Sequence, residues 1–310
     1  MKGIELSKKY YEEYGAPMIR ERFPTYEGRI AAGLVGRGSE CYGFDDSIST
    51  DHDFGPSFCM WLTDNDYDEI GEELAAAYRE LPQFYMGCKR NATPHGDGRV
   101  GVLRTGDFYR SFTGNSSGSL DLNEWLYIPE HFLSEATNGM VFRDDLGEFS
   151  KIRSRLSSYY PEDVRIKKIA ARAAVMAQSG QYNYGRSVKR QEYVAARLAL
   201  DEFIRSSISM AYLLNRTYQP FYKWAHRGME GFEILPEMGS MMTKLACMPV
   251  RGDVFDEAAI LIESICIMTV RELSTQGLTD HDDSFLEGHT SCIMSRIIDE
   301  KIRAMHVMRG

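Results

Sequence analysis

Gly36-Arg-Gly-Ser-Glu-Cys-Tyr-Gly-Phe-Asp-Asp-Ser-Ile-Ser-Thr-Asp-His-Asp-Phe54 is the stretch on which the reading of this chain turns. Before it, Arg29-Ile-Ala-Ala-Gly-Leu-Val-Gly reads as a buried strand running into a glycine-punctuated turn. A Gly38-Ser39 turn at the end of such a strand exposes backbone N–H groups and a hydroxyl. These can hold a phosphate oxygen with no side chain in the way. Asp51 comes twelve residues after Ser39 and is followed by Asp53. If Thr50-Asp-His-Asp-Phe-Gly-Pro is a strand, alternation sends both carboxylates to one side and His52 to the other. Two carboxylates on one side can share divalent cations through oxygen ligands.

Working outward, Leu6, Tyr10, Tyr14 and Met18 fall on one stripe of an opening helix that Pro17 kinks or ends before Pro24. Tyr67, Ile70, Leu74 and Tyr78 predict a second helix closed by Pro82. Val100 to Leu103 is a short strand, and Asp121 to Ala136 is helical with Pro129 kinking or dividing it. Met140-Val-Phe-Arg is a further strand, with a turn at Asp144-Asp-Leu-Gly. From about residue 150 strand signals almost vanish. Apolar-periodic stretches then run over 163–177, 191–216, 255–274 and 284–308. The expected architecture is α+β: a small mixed sheet with helices over 1–150, then an all-α bundle over 151–310.

A hydrophobic share of 43% in 310 residues supports a real core. No run of eighteen apolar residues occurs, and the N-terminal stretch lacks the features of a secretory signal, so a cytoplasmic protein is expected. The six cysteines form no CxxC pair, so reduced thiols are expected. A net charge of −9 argues against stable DNA binding, and the absence of a long apolar run against a membrane partner. Between Lys151 and Arg197, however, eleven Lys or Arg stand against only Glu162, Asp163 and Glu192. Such a segment suits a triphosphate or RNA, and a solvated helix face equally well.

The order helix, buried strand, Gly38-Ser39 and Asp51-x-Asp53 resembles the signature of the DNA-polymerase-β-like nucleotidyltransferase superfamily. The likeness extends to an uncharacterised group of nucleotidyltransferase-like proteins, catalogued as a domain of unknown function and broadly similar to aminoglycoside nucleotidyltransferases. It is carried by Ser49-Thr-Asp-His-Asp-Phe-Gly-Pro, Glu124-Trp-Leu-Tyr-Ile-Pro-Glu, Gly139-Met-Val-Phe-Arg-Asp, Tyr159-Tyr-Pro-Glu-Asp-Val and Leu213-Leu-Asn-Arg-Thr-Tyr-Gln-Pro-Phe-Tyr-Lys-Trp. The resemblance implies transfer of a nucleoside monophosphate from a nucleoside triphosphate (NTP) to a hydroxyl, with release of pyrophosphate. Gly38 and Ser39 would hold phosphate, and Asp51 and Asp53 would be the catalytic ligands of Mg²⁺ or Mn²⁺. The acceptor, whether a small molecule, a protein side chain or an RNA end, stays open.

Arg186, Arg190 and Lys223 are candidates for the outer phosphates. Gly180 precedes Gln181-Tyr-Asn-Tyr-Gly-Arg, which would open a helix, and Tyr182 and Tyr184 could stack on a base or pack a seam. One departure bears on catalysis. The superfamily's third carboxylate is expected on Arg99-Val-Gly-Val-Leu-Arg, where a glycine stands instead. Asp107, Asp121, Glu124 or Asp144 could supply the missing oxygen. The alternative is a catalytically impaired nucleotide-binding regulatory or interaction protein of the same fold. His281, Asp282, Glu287 and His289 are metal-ligand types without a recognised zinc spacing.

Overall fold

Cys59-Met-Trp-Leu has no polar alternation, because the strand it forms is buried on both faces. The computed structural model describes residues 1–49, 54–90, 98–250 and 257–310. In chain order the first elements are α1 (Gly3–Tyr10), a π-helical stretch Tyr11–Gly15, α2 (Ala16–Arg22), β1 (Ala31–Leu34) and a 3₁₀ turn Ser39–Tyr42. Then come β2 (Cys59–Leu62), α3 (Asp64–Glu80), β3 (Phe84–Tyr85), β4 (Cys88–Lys89), β5 (Gly101–Arg104) and α4 (Thr105–Thr113). Helices α5 (Leu122–Tyr127) and α6 (Glu130–Thr137) precede β6 (Met140–Arg143) and α7 (Glu148–Ser157). The remainder is α8 (Glu162–Met176), a π-helical stretch Ala177–Tyr184, α9 (Gly185–Lys189), α10 (Tyr193–Leu214), α11 (Tyr222–Ala225), α12 (Met238–Cys247), α13 (Glu257–Thr275), α14 (Thr290–Ser295) and α15 (Glu300–Arg303).

The main sheet has the order β5-β2-β1-β6, with β1 antiparallel to β2 and β6, and β2 parallel to β5. Pairing of β1 with β6 shifts register between Ala32 and Gly33, where a Cβ on Gly33 would come 2.5 Å from the Met140 carbonyl oxygen. On one face of the sheet Ala32, Met60 and Leu62 join a core with Tyr10, Tyr11, Met18 and Ile19 of the opening helices and Leu74 and Ala77 of α3. On the other face Trp61 stacks on Phe149 of α7 at a centroid distance of 3.9 Å and meets Phe108 of α4 edge-on. The fold is therefore α+β with a small mixed sheet between helices.

Several local expectations meet their physical reasons here. The opening helix does not stop at Pro17. The wider π turn before it takes up the missing N–H, and Pro17 sits in the first turn of α2. Pro129 divides α5 from α6. The strand expected over 50–56 is corrected for its described part: Phe54, Gly55 and Pro56 form no strand, and the partner of β1 begins at Cys59. Nor do Gln181 to Tyr184 open a new helix after Gly180, since the π turn continues α8 through them and α9 follows directly from Gly185. The stretch 284–308 is not one helix but a 3₁₀ turn Leu286–His289 followed by α14 and α15.

Two compact units make up the chain, Met1–Leu120 with Ile128–Ser158, and Asp121–Tyr127 with Tyr159–Gly310. The pattern change near residue 150 falls inside α7, a helix of the first unit. Within the second unit α8 is the central helix. It is buried almost all round, although it carries Arg165, Lys167 and Lys168. Arg165 pairs with Glu162 at 2.6 Å and donates to the Leu213 carbonyl and Gln276. Lys168 lies over the Tyr160 ring. The Lys167 ammonium donates to the carbonyls of His306, Val307 and Arg309 at 2.9, 2.8 and 2.5 Å. No helix among the described residues is long and apolar enough to cross a membrane.

Lys167→Met removes the donor that gathers these three carbonyls, and a buried acceptor left unpaired costs on the order of 1–3 kcal/mol. Hydrogen exchange read by mass spectrometry should quicken over residues 304–310 while the sheet stays protected. Unchanged exchange there would show that the C-terminal turn is held by packing alone.

Candidate functional site

The loop after β1 is laced into its surroundings at both ends. Gly36 donates to Asn138 Oδ1 at 2.8 Å and accepts from Asn138 Nδ2 at 2.8 Å, and the Gly139 amide donates to the Cys41 carbonyl at 2.9 Å. Beneath it, Arg99 Nη1 donates both to the Arg37 carbonyl at 2.9 Å and to Glu40 Oε1 at 2.6 Å. That ion pair is nearly enclosed, with side-chain exposures of 13% and 9%. Burial disfavours the Arg99 charge, and the adjoining Glu40 carboxylate outweighs it, so the guanidinium pKa lies above its ordinary value.

Gly38 has φ +126°, and a Cβ there would sit 2.2 Å from Arg99 Nη1 and 2.6 Å from Glu40 Oε2. Only glycine fits, for reasons of both conformation and space. The Ser39 hydroxyl forms no hydrogen bond among the described residues, and neither do the amides of Gly38 and Ser39. Free donors on a fixed loop can receive an oxyanion without reorganising.

Asp51 and Asp53 lie outside the described residues. Beside them, Phe54 joins Met1, Lys2, Glu5, Asp45, Asp46 and Ser47 in lining an open cavity of about 520 Å³. The Lys2 ammonium is engaged by the Gly43 and Asp45 carbonyls at 3.0 and 2.8 Å. Asp45 is buried; its Oδ2 accepts from the Gly3 amide at 2.9 Å, and its Oδ1 has no hydrogen-bond partner among the described residues. An oxygen-rich lining of this kind suits a hard cation such as Mg²⁺ in donor chemistry. Among the described residues no group of three His, Cys, Asp or Glu is gathered closely enough to hold an ion.

The third-carboxylate candidates are each committed elsewhere. Gly101 of β5, aligned with Cys59, offers no oxygen from its side chain. Asp107 pairs with Arg110 at 2.5 Å. Asp121 and Glu124 form a reciprocal capping box, with each backbone N–H donating to the other's carboxylate at 2.7 and 2.9 Å. Asp144 accepts from the Gly147 and Ser150 amides and so closes the turn into α7.

Of the outer-phosphate candidates, Arg186 is on α9 with its guanidinium 4.7 Å from the Tyr182 centroid, and Arg190 caps the same helix. Lys223 is on α11, 4.4 Å from the Trp224 ring centroid. All three belong to the second unit, whereas Gly38 and Ser39 belong to the first. Tyr184 is buried in the second unit and Tyr182 is exposed. Much of the basic stretch is occupied internally. Besides Arg165, Lys167 and Lys168, Arg153 donates to the carbonyls of Thr137, Asn138 and Gly139 at the end of α6, and Arg172 donates to Ser209. His289 is buried between Thr279 and the Asp283 carbonyl, which gives it a structural role.

Two residues near the loop escaped the sequence reading. Arg37 projects from between Gly36 and Gly38, and Glu135 of α6 is buried against it, Nε to Oε2 3.6 Å. That oxygen makes no hydrogen bond among the described residues. Burial raises the Glu135 pKa, only partly offset by Arg37. Cys41 and Cys59 are buried too, and desolvation holds both thiols well above their usual pKa, Cys59 at about 12, so neither is a thiolate nucleophile. No periodic signal marks Glu135, since a carboxylate on the inner face of an α-helix breaks the pattern that identifies the face.

Because the folded state holds the Glu135 proton to higher pH than the unfolded chain does, this group's contribution to stability is intact below about pH 4.3 and is lost as pH rises through the raised folded value. Glu135→Gln should leave the unfolding midpoint unchanged at pH 4 and raise it at pH 7, a gain on the order of 1 kcal/mol. A midpoint that falls at pH 7 would mean that the Arg37 pairing outweighs the burial.

A family model described as "Domain of unknown function (DUF4037)" matches residues 125–225, less than half of the chain. The matched region contains Arg186, Arg190 and Lys223 but not the Gly36–Phe54 stretch. Among solved structures, a nucleotidyltransferase-like protein from Exiguobacterium sibiricum 255-15 aligns over 92% of this chain and 81% of its own, at 10% identity and a TM-score of 0.38. So remote a likeness leaves the chemistry open. No curated protein matches the chain.

Proposed function

We propose that the chain is a metal-dependent nucleotidyltransferase that moves a nucleoside monophosphate from an NTP to a hydroxyl acceptor and releases pyrophosphate. The observation that carries this reading is the Gly38-Ser39 loop, pinned by Arg99 and Glu40 and presenting a free hydroxyl and free amides, with Asp51 and Asp53 following in sequence. Gly38 and Ser39 hold phosphate oxygens of the NTP. Asp51 and Asp53 hold Mg²⁺ or Mn²⁺, whose charge neutralises the polyphosphate when bound. In-line transfer forms a bond from the acceptor oxygen to the α-phosphorus and breaks the bond to the β-phosphate oxygen. Its barrier is mainly one of positioning and charge. A fixed loop supports that chemistry because it is ordered before the substrate arrives.

Arg186, Arg190 and Lys223 remain proposed partners of the outer phosphates. The carboxylates Glu5, Asp45 and Asp46 around the cavity favour a small, cationic acceptor over RNA. The internal engagement of Arg153, Arg165, Lys167 and Arg172 points the same way.

One observation favours a second reading, a nucleotide-binding regulatory protein that has lost turnover. Asp107, Asp121, Glu124 and Asp144 all serve caps or ion pairs, so none stands uncommitted as a base for the acceptor hydroxyl. Incubating the chain with each of the four α-³²P-labelled ribonucleoside triphosphates, Mg²⁺ or Mn²⁺ and cell extract separates the two readings. Transfer of label that disappears in Asp51→Ala/Asp53→Ala is the result expected. Label transfer that persists in the double variant removes these residues from the mechanism, and binding without transfer selects the regulatory reading.

A further inference from the structure

Arg37 is displayed in an unusual way. It stands between Gly36 and Gly38, both at positive φ, on a loop whose backbone is tied on either side of it. Its own carbonyl is held by Arg99, so its Cα has little freedom. The side chain is 62% exposed. Beneath it lie the Phe112 ring, with the guanidinium carbon 5.8 Å from the centroid, and the buried Glu135 carboxylate. The nearest nitrogen to Glu135 is Nε, and the two terminal nitrogens of the guanidinium form no hydrogen bond among the described residues.

This geometry is poor for stability and good for binding. At 3.6 Å the pair lies beyond hydrogen-bond distance, and the facing carboxylate oxygen is left without any donor. A surface arginine recruited for stability would close on a carboxylate with its fork. Here the nearest nitrogen to the carboxylate is Nε, neither terminal nitrogen has a hydrogen bond among the described residues, and the Phe112 ring lies 5.8 Å from the guanidinium carbon. The unengaged terminal N–H groups of this exposed side chain match two oxygens of a phosphate. Arg37 is also two residues from Ser39, about 7 Å along the chain, within the reach of an arginine side chain.

We infer that Arg37 is a phosphate-binding residue of the loop, contacting the polyphosphate of the nucleotide through its two terminal nitrogens while Glu135 and Phe112 hold it in place. The inference rests on the nucleotidyltransferase reading above and deepens it. It places a polyphosphate cation in the same unit as Ser39, at a position that neither sequence spacing nor resemblance singled out. The ligand class is a polyphosphate rather than a single phosphate, because Ser39 and the loop amides take one group and Arg37 is offset from them along the loop.

Calorimetric titration of the full chain with inorganic tripolyphosphate and Mg²⁺ tests this without assuming which base is bound. Arg37→Ala should weaken binding at least about tenfold, equivalent to about 1.4 kcal/mol. Arg37→Lys, which keeps the charge and loses the fork, should fall between Arg37→Ala and the natural chain. Arg37→Lys, which keeps the charge beside Glu135, should keep the natural unfolding midpoint, and Arg37→Ala should lower it at pH 7 but not at pH 4, where Glu135 is protonated, so binding by each variant is measured on folded protein. Tripolyphosphate binding by Arg37→Ala within twofold of the natural chain, alongside loss of binding in Asp51→Asn/Asp53→Asn, overturns the role of Arg37 and leaves the parent reading standing. Failure of the natural chain to bind tripolyphosphate overturns both.

Discussion

The buried ion pair between Arg99 and Glu40 is the constraint from which the organisation of the first unit's functional end follows. One nitrogen of Arg99, at the entrance to β5, reaches both the backbone and the side chain of the loop that leaves β1. The Arg99 carbonyl meanwhile accepts from the thiol of Cys59 at the start of β2. Three strands are thereby tied at one end. Enclosing two charges is costly, and removal of one partner from such a pair typically destabilises by about 3–5 kcal/mol, because the other is left charged and dry. The space the guanidinium takes is the space a side chain at residue 38 would need, which makes Gly38 a consequence of the pair. What the clamp provides is a loop that keeps its shape with its donors unused.

Stability and function pull apart around this loop. Glu135 is buried with an oxygen that nothing satisfies, and its neighbour Arg37 declines the closer contact that would relieve it. Asp45 repeats the theme beside the cavity, with one oxygen on the N-terminus of α1 and the other without a partner. By contrast the buried cations of α8 are fully engaged, Lys167 by three carbonyls and Arg165 by a carboxylate, a carbonyl and an amide. Unsatisfied buried carboxylate oxygens are uncommon in folded proteins, and the two found among the described residues, on Asp45 and Glu135, lie beside the cavity and against Arg37.

How much of this could be read beforehand depended on whether the determinant was local. Elements whose register is written in their own residues were legible: the stripe of α3, the short strands β5 and β6, and the break between α5 and α6 at Pro129. The strand β2 was missed because Cys59-Met-Trp-Leu, buried on both faces, carries no alternation, while the polar alternation just before it suggested a strand that its described part, 54–56, does not form. The basic run from Lys151 to Arg197 looked like a surface for anions. Its centre is instead the most buried helix of the second unit, and only the distant carbonyls at the C-terminal end and the facing helices explain that. In the candidate site, the turn at Gly38 and Ser39 and the glycine on β5 were legible from local sequence. The Arg99–Glu40 clamp, 59 residues long in sequence, and the Glu135–Arg37 pair were not, since pairings across such separations leave no trace in spacing.

On the proposed reading the clamped Gly38-Ser39 loop and the Asp51 and Asp53 carboxylates meet on one metal-bound polyphosphate. A crystal structure of the full chain with Mg²⁺ and a non-hydrolysable nucleoside triphosphate analogue examines it directly. The expected result is a phosphate oxygen on Ser39 Oγ and metal density linking Asp51 and Asp53 to the same polyphosphate. Triphosphate bound elsewhere, or the three side chains directed into separate regions with no metal among them, would contradict it.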